Sequence, residues 1–248
     1  MSQSQDLDDI FHEWPYEPGV ISARMVSCAD GRKVLQMRIE LGLLQMELAG
    51  RPDGQRPEGA ETYLDHLIQR SFAEGDSFVV DDDQRYEIDR EFLQFYHRRI
   101  CCLAIREFAR AVRDADHTLA LMDFVAAHSP DPEWTLTHEQ YRPFVLFHRT
   151  QAAVLSRLKA AGAEAAIEEC NGGLERIREL FESLGAEEQF EQHELVAQLI
   201  ELKESLRNQY DVGPTLAEQL ADAVAAEQYE RAAKLRDEIA RRRHHRTA

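Results

Sequence analysis

From about Tyr86 to Tyr210 apolar side chains recur at three- and four-residue spacing, and that period commits about half of the 248-residue chain to helices that must bury one face. Phe92, Phe95, Tyr96, Arg99, Ile100, Leu103 and Phe108 set the pattern of a long amphipathic helix beginning near Tyr86. A second helix is expected near Asp116 to His128, then a break at Ser129-Pro130-Asp131-Pro132. A third is expected from about Thr137 to Ala161, with Pro143 tolerable only in its first turns. A fourth runs from Ala163 to Leu184, loosened by Asn171-Gly172-Gly173 and capped by Gly185. A fifth, Glu187 to Tyr210, leads into Asp211-Val212-Gly213-Pro214. The pairs Tyr96–His128 and Phe147–Ser183 each read as helix, turn, helix, with alanines at the crossing.

The first third of the chain has a different period. Trp14 to Gly19 holds two prolines and reads as irregular chain that packs its aromatics against the next segment. Val20 to Val26 is apolar and β-branched, Asp30-Gly31 is a hairpin turn signal, and Lys33 to Leu43 alternates. Leu35, Met37, Ile39, Leu41 and Leu43 are expected on one face, with Gln36, Arg38 and Glu40 toward water or a partner. Two strands alone are marginal, so this antiparallel ribbon must pack on helices or gain a strand. The turn-rich segment Gly50 to Gly59 carries Arg51 and Arg56. It reads either as an anion- or peptide-carboxylate-binding loop or as a stiff connector whose Arg stems pack on the ribbon. Glu61 to Phe72 is a short amphipathic helix with Leu64, Leu67, Ile68 and Phe72 on one face, and the acid-rich run Glu74 to Glu91 reads as a solvated linker and first turn.

Charge narrows the function classes. Twenty-nine Lys and Arg against 46 Asp and Glu give −17, which repels phosphate backbones. From Arg231 onward seven basic residues face two acidic ones, a local +5 that leaves −22 on the remainder. Nucleic acid is therefore disfavoured for the body and open for the basic tail. The start, MSQSQDLDDI, has neither a basic nor an apolar leader region, and no apolar run approaches eighteen residues, so a cytoplasmic protein without membrane contact is expected. Cys28, Cys101, Cys102 and Cys170 form no CxxC pair and read as buried thiols. The alternative for Cys101-Cys102 is a thiol whose pKa is lowered by Arg98, Arg99 and Arg106.

The helix pairs resemble tetratricopeptide-type repeats, with the insert Ser129 to Phe144 breaking the 34-residue period. Residues Leu216 to Arg241, LAEQLADAVAAEQYERAAKLRDEIAR, resemble the UVR domain, the helical hairpin at the C-terminus of UvrB and inside UvrC. Leu216 and Leu220, Ala223 and Val224, Glu227, Tyr229 and Glu230, Ala232 and Ala233, Leu235-Arg236-Asp237 and Ile239 fill that family's positions. Gln228 stands where an acidic cap is common. UVR hairpins also occur in activators of protein-arginine kinase, whose CxxC zinc modules are missing from this sequence, and near the middle domain of certain Clp unfoldases. The N-terminal body looks like uncharacterised bacterial proteins, of planctomycete kind, that end in the same motif, a likeness that supplies no activity.

From the residues alone, Leu216, Leu220 and Val224 make one apolar stripe and Tyr229, Ala232, Leu235 and Ile239 another. So small a hairpin must dock: on its own body, on a second copy, or on another protein. The resemblance favours the last two. The expected fold class is mainly α: an antiparallel β-ribbon plus short helix over 1–73, stacked antiparallel TPR-like helix pairs over 74–210, a UVR hairpin over 214–243 and a basic tail over 244–248. No HExxH, Walker A, GxGxxG or GxSxG is present, so no catalytic, cofactor or metal residues are assigned. His244 and His245 are expected in a terminal tail that could touch phosphates. The expected function is a non-enzymatic interaction or adaptor protein. Its hairpin dimerises or recruits a partner through Leu216, Leu220, Val224, Tyr229, Ala232, Leu235, Arg236 and Ile239. The alternative is a nucleotide-excision repair accessory protein that contacts DNA through the basic C-terminus.

Overall fold

A computed structural model describes the backbone of residues 7–247 and the side chains of residues 7–241. The basic run from Arg242 onward and the histidines His244 and His245 thus have side chains outside the described residues. The architecture is mainly α with an N-terminal antiparallel sheet, and the chain divides into two compact units, one ending at Ala152 and the other beginning at Ala153.

The first unit opens with a short helix, α1 (Asp8–Glu13), followed by strands β1 (Ala23–Ser27), β2 (Lys33–Ile39) and β3 (Gly42–Glu47) in the order β1-β2-β3. The expected single strand Lys33 to Leu43 is instead a hairpin, because Glu40-Leu41 forms a two-residue turn and the chain folds back with Ile39 opposite Gly42. That turn leaves Leu41 90% exposed, and the register places Leu43 opposite Arg38, away from the Leu35 and Met37 face. Alternation could not reveal the break, since the third strand resumes a similar apolar rhythm at once. What the fold gains is pairing for the second edge of β2, which a two-stranded ribbon would leave open.

Both faces of the sheet are covered. Leu35, Met37 and Met46 join Ile100, Cys101, Cys102 and Ala111 in one core cluster. On the other face Gln36 and Arg38 are buried within the chain itself, contrary to the expectation that they face water or a partner. The aromatics preceding β1 explain this: Arg38 lies over the Phe11 ring and donates from Nε to the Trp14 carbonyl at 3.0 Å, while Arg24 lies over Trp14. Trp14 Nε1 donates to Ser22 Oγ at 2.6 Å. A polar ladder then crosses all three strands, from Arg24 Nε to Gln36 Oε1 and from Gln36 Nε2 to Gln45 Oε1, each at 3.0 Å.

Helix α2 (Tyr63–Glu74) is capped by Thr62, whose hydroxyl accepts from the Asp65 N–H. Leu64 and Leu67 are buried as expected, but Phe72 is 84% exposed, so its placement on that face is corrected: the helix end runs past the core. The run 74–91 is not a solvated linker throughout. Phe78 and Val80 are buried, and the Asp81/Gln84 capping box starts α3 (Asp82–Ala104) earlier than the apolar period suggested. The chain turns at Arg106, which adopts a left-handed conformation, so Phe108 opens α4 (Phe108–His128) instead of closing the preceding helix. The pair α3/α4 therefore replaces the Tyr96–His128 pairing. Pro132 opens α5 (Pro132–Glu139), and α6 (Arg142–Ala161) comes next with Pro143 in its first turn. The division between the two units falls inside α6.

In the second unit α7 (Ala163–Ser183) is continuous through Asn171-Gly172-Gly173, where loosening was expected. Gly173 is buried within it. Gly185, at φ 63°, ends the helix as a left-handed cap. The expected fifth helix is split into α8 (Glu187–Phe190) and α9 (Glu194–Tyr210), with His193 accepting the Leu195 N–H as the cap of the latter. Phe181 meets Phe190 and His193 edge-on, and the Cys170 thiol donates to the Leu199 carbonyl, tying α7 to α9.

Cys101, Cys102 and Cys170 are buried and Cys28 is half-buried, all as free thiols. Burial pushes Cys101 and Cys102 up to about 12, so the arginine-activated thiol is corrected: desolvation outweighs the neighbouring cations.

Candidate partner-binding hairpin

The C-terminal hairpin consists of α10 (Leu216–Ala225) and α11 (Tyr229–Thr247). Thr215 caps α10 through a reciprocal capping box with Glu218, legible in the sequence as Thr-x-x-Glu. The turn between the helices closes with Glu227 in a left-handed conformation and the Gln228 N–H donating to the Ala223 carbonyl at 2.8 Å. Gln228 spends its side chain on Arg231, whose Nη1 donates to Oε1 at 3.2 Å.

The hairpin has its own small core of Ala223, Ala232 and Leu235, with Leu216 and Leu220 half-buried against it. The facing residue of α10 is thus Ala223, and Val224 points outward, 52% exposed. A 100° step per residue rotates Val224 off the stripe that Leu216 and Leu220 begin, and the small Ala223 lets α11 approach closely. Tyr229 is 68% exposed. Arg236 is exposed and pairs with Asp237 at 2.9 Å, while Ile239 is half-buried. The predicted partner residues therefore fall into two groups. Leu216, Leu220, Ala232 and Leu235 hold the hairpin together, Val224, Tyr229 and Arg236 are presented at its surface, and the half-buried Ile239 belongs fully to neither.

Polar residues without any signal in the sequence pattern fasten the hairpin to α7 and α9. Arg207 Nη2 contacts both Glu218 oxygens, at 2.8 and 3.0 Å, and Asn171 Nδ2 donates to Oε1 at 3.0 Å. Arg207 Nη1 also donates to the Gly213 carbonyl at 2.7 Å, and Asp211 is a left-handed cap on α9, so the short linker is stitched down at each step. The Gly213-Pro214 brevity is visible in the sequence; the Arg207–Glu218 pair, whose members stand eleven positions apart in numbering, has no local signature.

Burial works against the Glu218 carboxylate, yet the Thr215 N–H, the Asn171 amide and the Arg207 guanidinium outweigh it and hold the group below the ordinary glutamate range. A depressed carboxylate stabilises the clasp fully above its unfolded value and loses that contribution as pH falls through the folded one. The Asn171 side-chain amide resonances of the full chain should therefore move in an acid transition centred below the ordinary value of 4.5. Glu218→Gln should abolish it. A midpoint at or above 4.5 would contradict the clasp.

The loop arginines are separated. Arg51 is 2% exposed, with Nη2 donating to Glu87 at 2.6 Å and Nε lying 3.7 Å from Glu91, so its charge is already compensated. Arg56 is exposed. Among the described residues no group of His, Cys, Asp and Glu is arranged to hold a metal ion, and no helix is long and apolar enough to cross a membrane.

Residues 214–242 match the UVR family, described as the UvrB/uvrC motif, about a tenth of the chain and the same segment as the hairpin. No curated protein and no solved structure matches the chain. UVR motifs occur in nucleotide excision repair proteins and mediate protein contacts.

Proposed function

We propose that this is a non-enzymatic, cytoplasmic interaction protein in which the UVR hairpin is the contact element, either pairing with a second copy or recruiting a partner. The observation that carries the reading is the division of labour within the hairpin. Its inner residues are used in its own core, a polar clasp fixes its base, and Val224 and Tyr229 remain exposed near the turn. An exposed valine and an aromatic ring surrounded by Glu227, Glu230, Arg231 and Lys234 supply an apolar anchor with a charged rim of both signs, suited to an apolar groove of a partner. The adaptor role extends this reading to the whole chain.

The test uses the full chain. Light-scattering mass and affinity capture are compared for the wild type and for the Val224→Asp/Tyr229→Asp variant, whose changes lie outside the hairpin core. Removing two such anchors, each worth about 1.5–3 kcal/mol when buried, should weaken association at least tenfold. A variant with unchanged mass and unchanged capture would overturn the proposal. Leu220→Asp and Leu235→Asp serve as the control that unfolds the hairpin itself.

A second reading, contact with DNA beside a repair enzyme, rests on the backbone of α11 continuing helically to Thr247, which carries the basic run on a regular helix. It calls for a salt-sensitive DNA mobility shift lost on deleting Arg241 to Arg246.

A further inference from the structure

The Gly50–Gly59 loop, the end of β3 and the start of β2 enclose a cleft of about 380 Å³ in the first unit, a size suited to a small molecule. Leu48 and Ala49 contribute apolar wall, and Lys33, Gln55, Arg56 and Glu61 contribute polar lining. Among the described residues of this unit, the side chains of four basic residues, Lys33, Arg56, Arg106 and Arg113, make neither an ion pair nor a hydrogen bond, and two of the four line this cleft. In a chain so rich in carboxylates, two cations left unpaired in one concavity point to an anionic group supplied from outside. The carboxylate of Glu61 is likewise without a partner, whereas Glu47 is held by Arg32. The cleft thus presents opposite charges ready for use.

Its walls are fixed before any ligand arrives. The Arg51 N–H donates to the Glu61 carbonyl at 2.9 Å, the Gly54 N–H to the Arg51 carbonyl at 2.9 Å, and the Glu47 N–H to the Pro52 carbonyl at 2.8 Å. Gly50 has φ +62°, and a Cβ there would stand 3.1 Å from the Glu61 carbonyl oxygen, so the loop closes this tightly only with glycine. Beneath it the buried Arg51 locks the loop to Glu87. Such a frame requires little ordering on binding, which favours affinity for a small ligand.

We propose that this cleft binds a small zwitterion of about dipeptide size, its carboxylate received by Lys33 and Arg56, its ammonium by Glu61, and its apolar part by Leu48 and Ala49. The site concerns the first unit alone and stands independently of the hairpin.

The test titrates the isotope-labelled full chain with alanyl-leucine, with N-acetyl-alanyl-leucine, which keeps the carboxylate but lacks the ammonium, and with inorganic phosphate. Alanyl-leucine should shift the amide resonances of Lys33, Ala49, Gly54 and Gln55 saturably. Lys33→Gln/Arg56→Gln, which changes two exposed side chains, should weaken it about tenfold or more. Glu61→Gln should reduce alanyl-leucine to the level of its acetylated form. Absence of saturable shifts, undiminished binding by the double variant, or equal affinity for phosphate or for the acetylated peptide would each overturn the proposal.

Discussion

Glu91→Ala should lower the stability of the first unit by about 3–5 kcal/mol, the range for breaking a buried charge cluster by removing one member. Glu91 has no exposed surface and gathers groups from three places. Its two oxygens accept the N–H groups of Tyr63 and Leu64 at 2.6 and 3.0 Å, at the start of α2, where free N–H groups and the helix dipole both favour an anion. His117 Nε2 lies 2.9 Å from Oε1, and its ring stacks on Phe95. Arg51 Nε stands 3.7 Å away. Removing the carboxylate leaves two buried N–H groups without acceptors and Arg51 with one fewer counter-charge. At about 2–4 °C per kcal/mol for a chain of this size, the melting temperature should fall by roughly 6–20 °C. Glu91→Gln, which keeps an acceptor for one N–H but not the charge, should cost visibly less. A calorimetric loss below about 1 kcal/mol for Glu91→Ala would show that the cluster does not hold α2 to α3.

Arg98→Ala should cost a similar amount, for a different structural reason. Arg98 is 4% exposed and grips Asp114 on α4 through Nε and Nη2, with contacts of 2.8 to 3.1 Å. Its Nη1 donates to the carbonyls of Glu47 and Gly50, both at 2.9 Å, so a single side chain ties the helix pair to the end of the sheet. Alanine would strand the buried Asp114 carboxylate and two carbonyls, again a loss of about 3–5 kcal/mol. Arg98→Met with Asp114→Leu removes both charges while keeping volume, and should recover most of the loss because the isolated charge is its larger part. If the double variant is no more stable than Arg98→Ala, the two carbonyls dominate and the ion-pair account is wrong. The measurement is denaturant unfolding of all three proteins, compared at the midpoint with slopes checked for equality.

Both residues are open to misreading in the sequence. Glu91 falls within an acidic run that resembles a solvated linker, and Arg98 stands where a cation would acidify a cysteine. A charge pattern reports composition along the chain, but burial depends on what packs above it. Here α2, the loop after β3 and α4 converge on α3 from positions between 16 and 51 residues away in numbering. The same limitation explains Gln36 and Arg38. Their alternation marks them for solvent, and only the return of Phe11 and Trp14 over the sheet buries them.

The sequence alone settled the features that are local. Three- and four-residue apolar spacing specified the helices, with errors at breaks such as Arg106 and the stretch between α8 and α9. The Asp30-Gly31 turn placed the first hairpin, and the motif spacing from Leu216 to Ile239 placed the UVR hairpin over the segment where two helices form. Those signals arise from backbone geometry and neighbouring side chains, so a short window contains them. The tertiary structure decided what depends on rotation and distance. It put Ala223 instead of Val224 against α11, left Val224 and Tyr229 exposed, joined Arg207 and Asn171 to Glu218, and separated a compensated Arg51 from an unpaired Arg56. A one-residue rotation on a helix, or one carboxylate arriving from a distant element, changes a residue from core to surface or from free charge to ion pair. Neither leaves a mark in the local pattern.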